Sequence, residues 1–223
     1  MKLLLSLSLV LLLGTTLASQ AANLTERINQ ATKILAARQG SIDPIPAEIL
    51  KNAKGVAICT VTKGGIAFGG QGGGGVVMVR HIGATGSVWR APIAFDMSGA
   101  SFGAQLGLTT IRYIIILNTE KAIGQFVGTG KIKWDATATG TVGEETGVES
   151  ESTRKLEKRA VLVYRDSGGL FGGATFGGST IEVSDEANQA AYGENIHVLD
   201  ILEGKVELPK SSARLYSLLD GIR

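Results

Sequence analysis

The chain has 223 residues, enough for one domain with a full-sized core. Apolar residues make up 44% of it and charged residues 19%, which excludes an intrinsically disordered chain. The 22 basic and 20 acidic residues nearly balance, so a general nucleic-acid-binding or polyanion-binding role has no support. Glycine, with 31 residues, is about twice as frequent as usual, which favours a turn-rich β protein.

Residues 1–22 have the pattern of a secretory signal peptide. Lys2 is the basic residue, residues 3–13 are apolar, and small residues for cleavage occur within Ala18–Ala22. The alternative is an uncleaved anchor, but the apolar run is short for crossing a bilayer. No cysteine follows this run, so the N-terminal acylation of bacterial lipoproteins is excluded. Removal of the leader leaves 21 basic and 20 acidic residues.

The first predicted helix starts after Asn23, an N-cap residue, with Glu26 at the position that completes a capping box, and ends at Gly40. Its apolar positions recur at helical spacing and are flanked by basic side chains. Two interpretations remain open: the helix packs on the sheet, or it lies on a membrane surface. A second short helix is predicted over residues 47–53.

The centre of the chain is dominated by a glycine-rich pattern that occurs twice, in residues 53–80 and 160–183. Each copy predicts strand, turn, strand, turn and strand, with paired glycines at the turns. In the first copy the glycines from Gly69 to Gly75 are interpreted as a turn. Since one meander cannot bury its apolar face alone, the two are expected to close onto one another.

The remaining elements follow from periodicity and from capping residues. We predict a turn at 81–86 and strands at 87–95, 98–110 and 111–117, the last buried on both faces. Asn118-Thr119-Glu120 is predicted to cap a helix that runs to about Val127. Strands at 131–138 and 139–147, a polar loop at 144–157, and helices at 184–192, 194–202 and from Pro209 onward follow. The fold class is therefore α+β: mainly an antiparallel β sandwich or barrel built from two related Gly-rich meanders, flanked by N-terminal and C-terminal helices. After the leader, residues 23–223 form a single domain, with helices in 23–54, the β section in 55–183 and helices in 184–223.

No pattern of catalytic or metal-binding residues stands out. The glycines of residues 70–75 match a dinucleotide-binding loop in spacing, but a strand follows them instead of the helix that would hold a pyrophosphate. His81 and His197 have no spaced cysteine or carboxylate partner. Cys59, the one cysteine, lies in an apolar run and is expected to be buried and inert. We therefore expect no enzyme, no catalytic residue, no metal and no cofactor.

Several segments resemble one known family, in its order and over nearly the whole chain after the leader. They are Ile45-Pro46, Ala53-Lys54-Gly55, the first glycine-rich copy, Gly86 to Pro92, Phe102 to Gly107, Gly168 to Gly173, Tyr192-Gly193 and Asp200 to Gly204. With these segments the chain is similar to SYLF domains, which are described as lipid-binding.

The resemblance implies a non-catalytic module that binds phospholipid or a membrane surface through its N-terminal helical and basic region. The matching candidates are Leu24, Arg27, Ile28, Lys33, Lys51 and Lys54. Because of the leader, the chain resembles an exported bacterial branch, so we expect a location in the periplasm or cell envelope, or secretion, and an anionic phospholipid as ligand. The alternative is a protein-interaction or envelope-structural module that docks through the Gly-rich sheet. The oligomeric state is left open.

Overall fold

The computed structural model describes residues 23–66, 68–84, 86–102, 107–128, 130–133, 159–165, 170–171 and 179–221. The predicted leader, the strand at 139–147, the polar loop at 144–157 and most glycines of the second meander lie outside these residues. No helix in the described ranges is long and apolar enough to cross a bilayer.

Six α-helices and nine strands are described. The helices are α1 (Leu24–Gln39), α2 (Ala47–Asn52), α3 (Glu120–Val127), α4 (Asp185–Tyr192), α5 (Val198–Glu203) and α6 (Ala213–Leu219), the last preceded by a 3-10 turn (Lys210–Ser212). The strands are β1 (Gly55–Ile66), β2 (Phe68–Gly83), β3 (Gly86–Trp89), β4 (Ile93–Phe102), β5 (Gly107–Leu117), β6 (Ile132–Lys133), β7 (Val161–Arg165), β8 (Leu170–Phe171) and β9 (Ser179–Val183).

The strands form one antiparallel sheet in the order β6-β9-β4-β2-β1-β5-β7-β8, with β3 paired to β2 outside this path. The α+β class, the antiparallel sheet and the flanking helices are confirmed. The sheet is open and is not closed into a barrel. The described strands of the second copy lie on opposite sides of the first, β9 against β4 and β7 against β5. Strands β9 and β7 thus cover the outer edges of β4 and β5, whose backbone N–H and C=O groups would otherwise lack partners there.

Each face of the sheet carries a cluster of buried side chains. Alternate residues of each strand point to opposite sides, so Val56 and Ile58 pack with α1, α2 and α6, while Ala57 and Cys59 pack with α3 and α5. The run Ile111–Leu117 contributes to both clusters, which confirms that this strand is buried on both faces. The α1 stripe therefore faces the sheet.

The glycines from Gly69 to Gly75 do not form a turn, and this prediction was wrong. They continue β2, which pairs residue by residue with β1 from Ile66–Phe68 down to Gly55–Val79. A Cβ atom at Gly73 or Gly75 would overlap the main-chain carbonyl oxygens of Thr60 and Ile58, respectively, on β1. Glycine is therefore required here for close approach of two strands.

Other boundaries also differ from the prediction. The expected turn at residues 81–86 is largely strand, because β2 runs to Gly83 and pairs with β3. The expected strand 87–95 is broken into β3 and β4, where Pro92 lacks the N–H that a sheet needs. The expected strand 98–110 is divided between β4 and β5, and the helix expected from Glu194 starts at Val198.

The C-terminal helices are fixed to the connection between β3 and β4. The hydroxyl of Tyr192 donates to the carbonyl of Pro92, and the hydroxyl of Tyr216 donates to that of Arg90, both at 2.7 Å. The Asn188 amide accepts from the N–H of Ala94 and donates to its carbonyl, at 2.8 and 3.0 Å. Three helical side chains thus bond to main-chain groups at the break between β3 and β4 and in the first residues of β4.

Candidate functional site

Helix α1 carries four of the six predicted lipid-binding residues, and the structure buries three of them. Leu24 and Ile28 are 2% and 0% exposed and belong to the core cluster on that face of the sheet. The Asn23 side chain accepts from the N–H of Glu26 at 2.9 Å, which confirms the predicted N-cap. In this arrangement the apolar stripe contacts protein, and it reaches a lipid only if α1 leaves the sheet.

Arg27 is also buried, with 6% of its side chain exposed. Its guanidinium donates to the carbonyl of Phe95 at 2.7 Å and forms an ion pair with Asp96 at 2.8 Å. It lies above Gly74, where a Cβ atom would stand 2.7 Å from the Arg27 Nη1 atom. Arg27 therefore ties α1 to β4, and the missing side chain at position 74 makes room for it.

The three predicted lysines are accessible but do not form one group. Lys33 lies on the exposed side of α1, which it shares with the acidic Glu26. Lys51 is exposed at the last turn of α2. Lys54 follows two residues after that helix, with its side chain 40% exposed, and makes a 3.4 Å ion pair with Glu120. Lys51 and Lys54 thus mark the end of the sheet where β1 begins.

This end of the sheet adjoins the base of the β2–β3 hairpin. The N–H of Arg80 donates to the carbonyl of Lys54 at 2.7 Å, and its guanidinium donates to the carbonyl of Leu50 at 3.4 Å. The sequence indicated the lysines and a turn at 81–86 between two strands, but it did not indicate that this hairpin is exposed and lies beside the lysines.

A cation–π contact and an ion pair fix the hairpin base. The Arg80 guanidinium lies 4.1 Å from the centre of the Trp89 ring and 3.7 Å from Asp220. The indole N–H of Trp89 donates to the same carboxylate at 3.0 Å. Burial lowers the pKa of Arg80, and the nearby Asp220 carboxylate opposes this shift. The ion pair between Arg80 and Asp220 joins the hairpin to the end of α6.

The remaining titratable groups are dispersed. Among the described residues, no group of three or more His, Cys, Asp or Glu side chains could hold a metal ion. Cys59 is buried, as predicted, and burial raises the pKa of its thiol to about 12, which suppresses the reactive thiolate. His81 lies in the β2–β3 hairpin. His197 precedes α5, and its backbone N–H donates to the Asp200 carboxylate at 3.0 Å.

The sequence is similar to proteins named for binding partners. A family model described as "Ysc84: Las17-binding protein actin regulator" matches residues 98–222. LAS seventeen-binding protein 3 of Saccharomyces cerevisiae is 34% identical over 210 residues, which cover 89% of this chain and 44% of that protein. The yeast Protein YSC84 is 36% identical over 185 residues, 81% of this chain and 38% of its own length.

An animal protein matches in the same way. The SH3 domain-containing YSC84-like protein 1 of Bos taurus is 33% identical over 206 residues, 89% of this chain and 59% of that protein. The chain therefore spans about half the length of these relatives. No solved structure matches it. A family model over more than half of the chain and relatives above 30% identity agree with the segments quoted from the sequence, and the chain belongs to the Ysc84 family of SYLF domains.

Proposed function

We propose that this protein is a non-catalytic module that binds the surface of anionic phospholipid membranes in the bacterial cell envelope. The observation that carries the proposal is the position of Lys51 and Lys54 at one end of the sheet, next to an exposed hairpin. The ion pair of Lys54 is long and exposed, and such pairs contribute at most about 1 kcal/mol, so lipid phosphates can compete with Glu120. Export to the periplasm or cell envelope, as the leader pattern predicts, is part of this proposal.

The electrostatic contribution of the lysines supports weak, reversible binding and does not by itself anchor the protein. A lysine near an anionic membrane contributes about 1 kcal/mol. Lys51 and Lys54 together contribute roughly 2 kcal/mol, and Lys33 adds to this only when α1 also faces the membrane. Such a module binds weakly, and its affinity falls as salt screens the attraction.

Vesicle co-sedimentation tests the proposal with Lys51→Ala/Lys54→Ala in the exported protein. Loss of two lysines lowers the partition coefficient on phosphatidylglycerol vesicles roughly 30-fold, because about 2 kcal/mol is lost. The matched control is Lys131→Ala/Lys210→Ala, which removes two exposed lysines from other elements. Two results contradict the proposal: wild-type binding that is equally strong on neutral and on phosphatidylglycerol vesicles, or an equal loss of binding in both double variants.

The second candidate is a protein-interaction module that docks through the glycine-rich sheet. Two observations favour it. The family model and the yeast relative are described as Las17-binding, and one part of the sheet is exposed, at Gly70, Gly72, Ser98 and Thr110. Co-sedimentation with filamentous actin and pull-down with Las17 are the direct tests. Binding to either protein by a chain that ignores every vesicle favours this candidate over the first.

A further inference from the structure

The β2–β3 hairpin extends beyond the rest of the sheet. Strand β3 pairs with β2 and lies outside the path that joins the other strands. The hairpin residues 81–84 and 86–88, which the structure describes, are all exposed. Two of them are large and aliphatic: Ile82 is 67% exposed and Val88 is 53% exposed. Side chains of this kind cost free energy in water unless another surface covers them.

The two aliphatic side chains lie on opposite faces of the hairpin. Val88 pairs with His81, and Ile82 pairs with Ser87, so the two aliphatic residues occupy neighbouring cross-strand pairs. Neighbouring pairs in an antiparallel ladder point to opposite sides. Each face of the hairpin therefore carries one exposed aliphatic side chain. A protein partner that packs on one face would leave the other aliphatic side chain in water, whereas a fluid apolar medium surrounds both.

The composition of the hairpin end agrees with contact to such a medium. Gly83, Ala84 and Gly86 are small and uncharged, and from His81 to Val88 the sequence contains no Asp, Glu, Lys or Arg. The base is rigid, since Arg80 is held by Trp89 and Asp220. A hairpin fixed at its base is ordered before it binds, so little conformational entropy is lost on binding.

The two lysines at the base complement an anionic surface, and they lie near Glu120 and Asp220, which pair with Lys54 and Arg80. The carbonyl of Lys54 accepts a hydrogen bond from the Arg80 N–H. The carbonyl of Leu50, the residue before Lys51, accepts one from the Arg80 guanidinium. The apolar tip thus projects from a base that carries two lysines. Exposed aliphatic residues next to lysines are a combination that suits the acyl boundary and the phosphate layer of a bilayer.

We propose that the β2–β3 hairpin inserts Ile82 and Val88 into the interfacial layer of an anionic phospholipid bilayer, while Lys51 and Lys54 contact the lipid phosphates. The inference rests on the proposed membrane function and names the segment that enters the bilayer. The lysines determine which membrane is bound, and the aliphatic residues determine how deeply the protein is seated.

Substitution of the two aliphatic residues tests the insertion. Ile82→Ser/Val88→Ser in the full chain is expected to lower partition onto vesicles of equal parts phosphatidylglycerol and phosphatidylethanolamine about tenfold, with the salt dependence retained. The matched control is Leu199→Ser/Leu208→Ser, because Leu199 is 68% and Leu208 51% exposed. The control is expected to bind like the wild type. All four substituted side chains are exposed, so both double variants are expected to remain folded. Unfolding curves of the two variants check this.

A fluorescent label gives a second measurement. Ile82→Cys is labelled with an environment-sensitive dye, and Leu199→Cys serves as the control; Cys59 is buried, so the new thiol reacts selectively. When the same vesicles are added, the emission of the dye at position 82 is expected to shift to the blue, and that of the dye at position 199 is expected to stay unchanged. A quencher carried by the lipid is expected to reduce the emission intensity of the dye at position 82.

The outcomes separate the two proposals. Wild-type protein that binds vesicles, with no blue shift at position 82 and no loss in the serine variant, overturns the insertion and leaves membrane binding intact. Wild-type protein that binds no vesicle overturns both. A blue shift that appears with filamentous actin but not with vesicles assigns the hairpin to a protein partner and overturns the insertion.

Discussion

Gly74 and Arg27 show how one glycine determines the position of a helix. The buried Arg27 guanidinium occupies the space above Gly74 and bonds to Phe95 and Asp96 on the neighbouring strand. A buried guanidinium is tolerated only when it is paired and hydrogen-bonded, and here it has both kinds of partner. The resemblance to SYLF domains assigned Arg27 to lipid binding, but the structure gives it a bridging position between α1 and the sheet.

Gly74→Ala is expected to destabilise the protein by about 1–3 kcal/mol, as overpacked core substitutions do. The added Cβ atom would stand 2.6 Å from the Phe95 carbonyl oxygen and 2.7 Å from the Arg27 Nη1 atom. Denaturant unfolding measures the change. The control is Gly70→Ala in the same strand, where a Cβ atom meets no neighbouring atom within 4 Å and the change stays within about 0.5 kcal/mol. Equal destabilisation by both variants contradicts this explanation.

At the scale of elements, α1 is part of the core. It buries Leu24, Ile28, Ala31, Ile34 and Leu35 together with Arg27 and Arg38. Arg38 pairs with Asp43 at 2.7 Å and lies 5.5 Å from the centre of the Tyr164 ring. Each large aliphatic side chain contributes about 1.5–3 kcal/mol when fully buried, so the helix accounts for a contribution comparable to the 5–15 kcal/mol net stability of a typical domain.

Deletion of residues 23–40 is therefore expected to unfold the protein, and its effect on vesicle binding would report loss of the fold. Near-ultraviolet circular dichroism and thermal unfolding are the measurements. The expected result is loss of the near-ultraviolet signal and of the cooperative transition. Lys33→Ala, which changes an exposed α1 side chain, is the control and keeps both. A deleted chain that still melts cooperatively contradicts the assignment of α1 to the core.

Three of the segments that carry the family resemblance, 86–92, 192–193 and 200–204, meet at the β3–β4 connection. Arg90 and Pro92, from the segment 86–92, accept hydrogen bonds from Tyr216 and Tyr192. Gly204, which ends the segment 200–204 with a φ of 79°, lies against the Arg90 guanidinium, which a Cβ atom at this position would overlap. Arg90, Pro92, Tyr192 and Gly204 therefore serve assembly of the fold, whereas Gly86, Ser87 and Val88 of the segment 86–92 lie in the exposed hairpin.

At the scale of the whole molecule, the proposed location depends on the leader, and processing of the chain tests it. When the full sequence is produced in a bacterium, the mass of the recovered protein is expected to correspond to a chain that starts within residues 19–23, because small residues suitable for cleavage follow the apolar run. Fractionation is expected to place it outside the cytoplasm. Recovery of the unprocessed chain in the cytoplasm contradicts the export proposal.

The sequence by itself determined the features that depend on near neighbours along the chain. Asn23 and Thr119 cap α1 and α3 as predicted, because a capping side chain bonds the N–H three residues ahead. The apolar run Ile111–Leu117 indicated a strand buried on both faces, since no alternation with polar residues marks a solvated side. The family segments likewise identified the family from the order of their residues.

Only the tertiary structure decided what each surface contacts. The glycines of β2 have the composition of a turn, and their role as a close-packed strand depends on β1, which pairs with them. The α1 stripe suits a sheet or a membrane equally well, and the sheet covers it. Ile82 and Val88 are ordinary aliphatic residues in the sequence, but the register with β3 places them on opposite faces of an exposed hairpin. Burial and strand register depend on residues distant in sequence, whereas caps and periodicity do not.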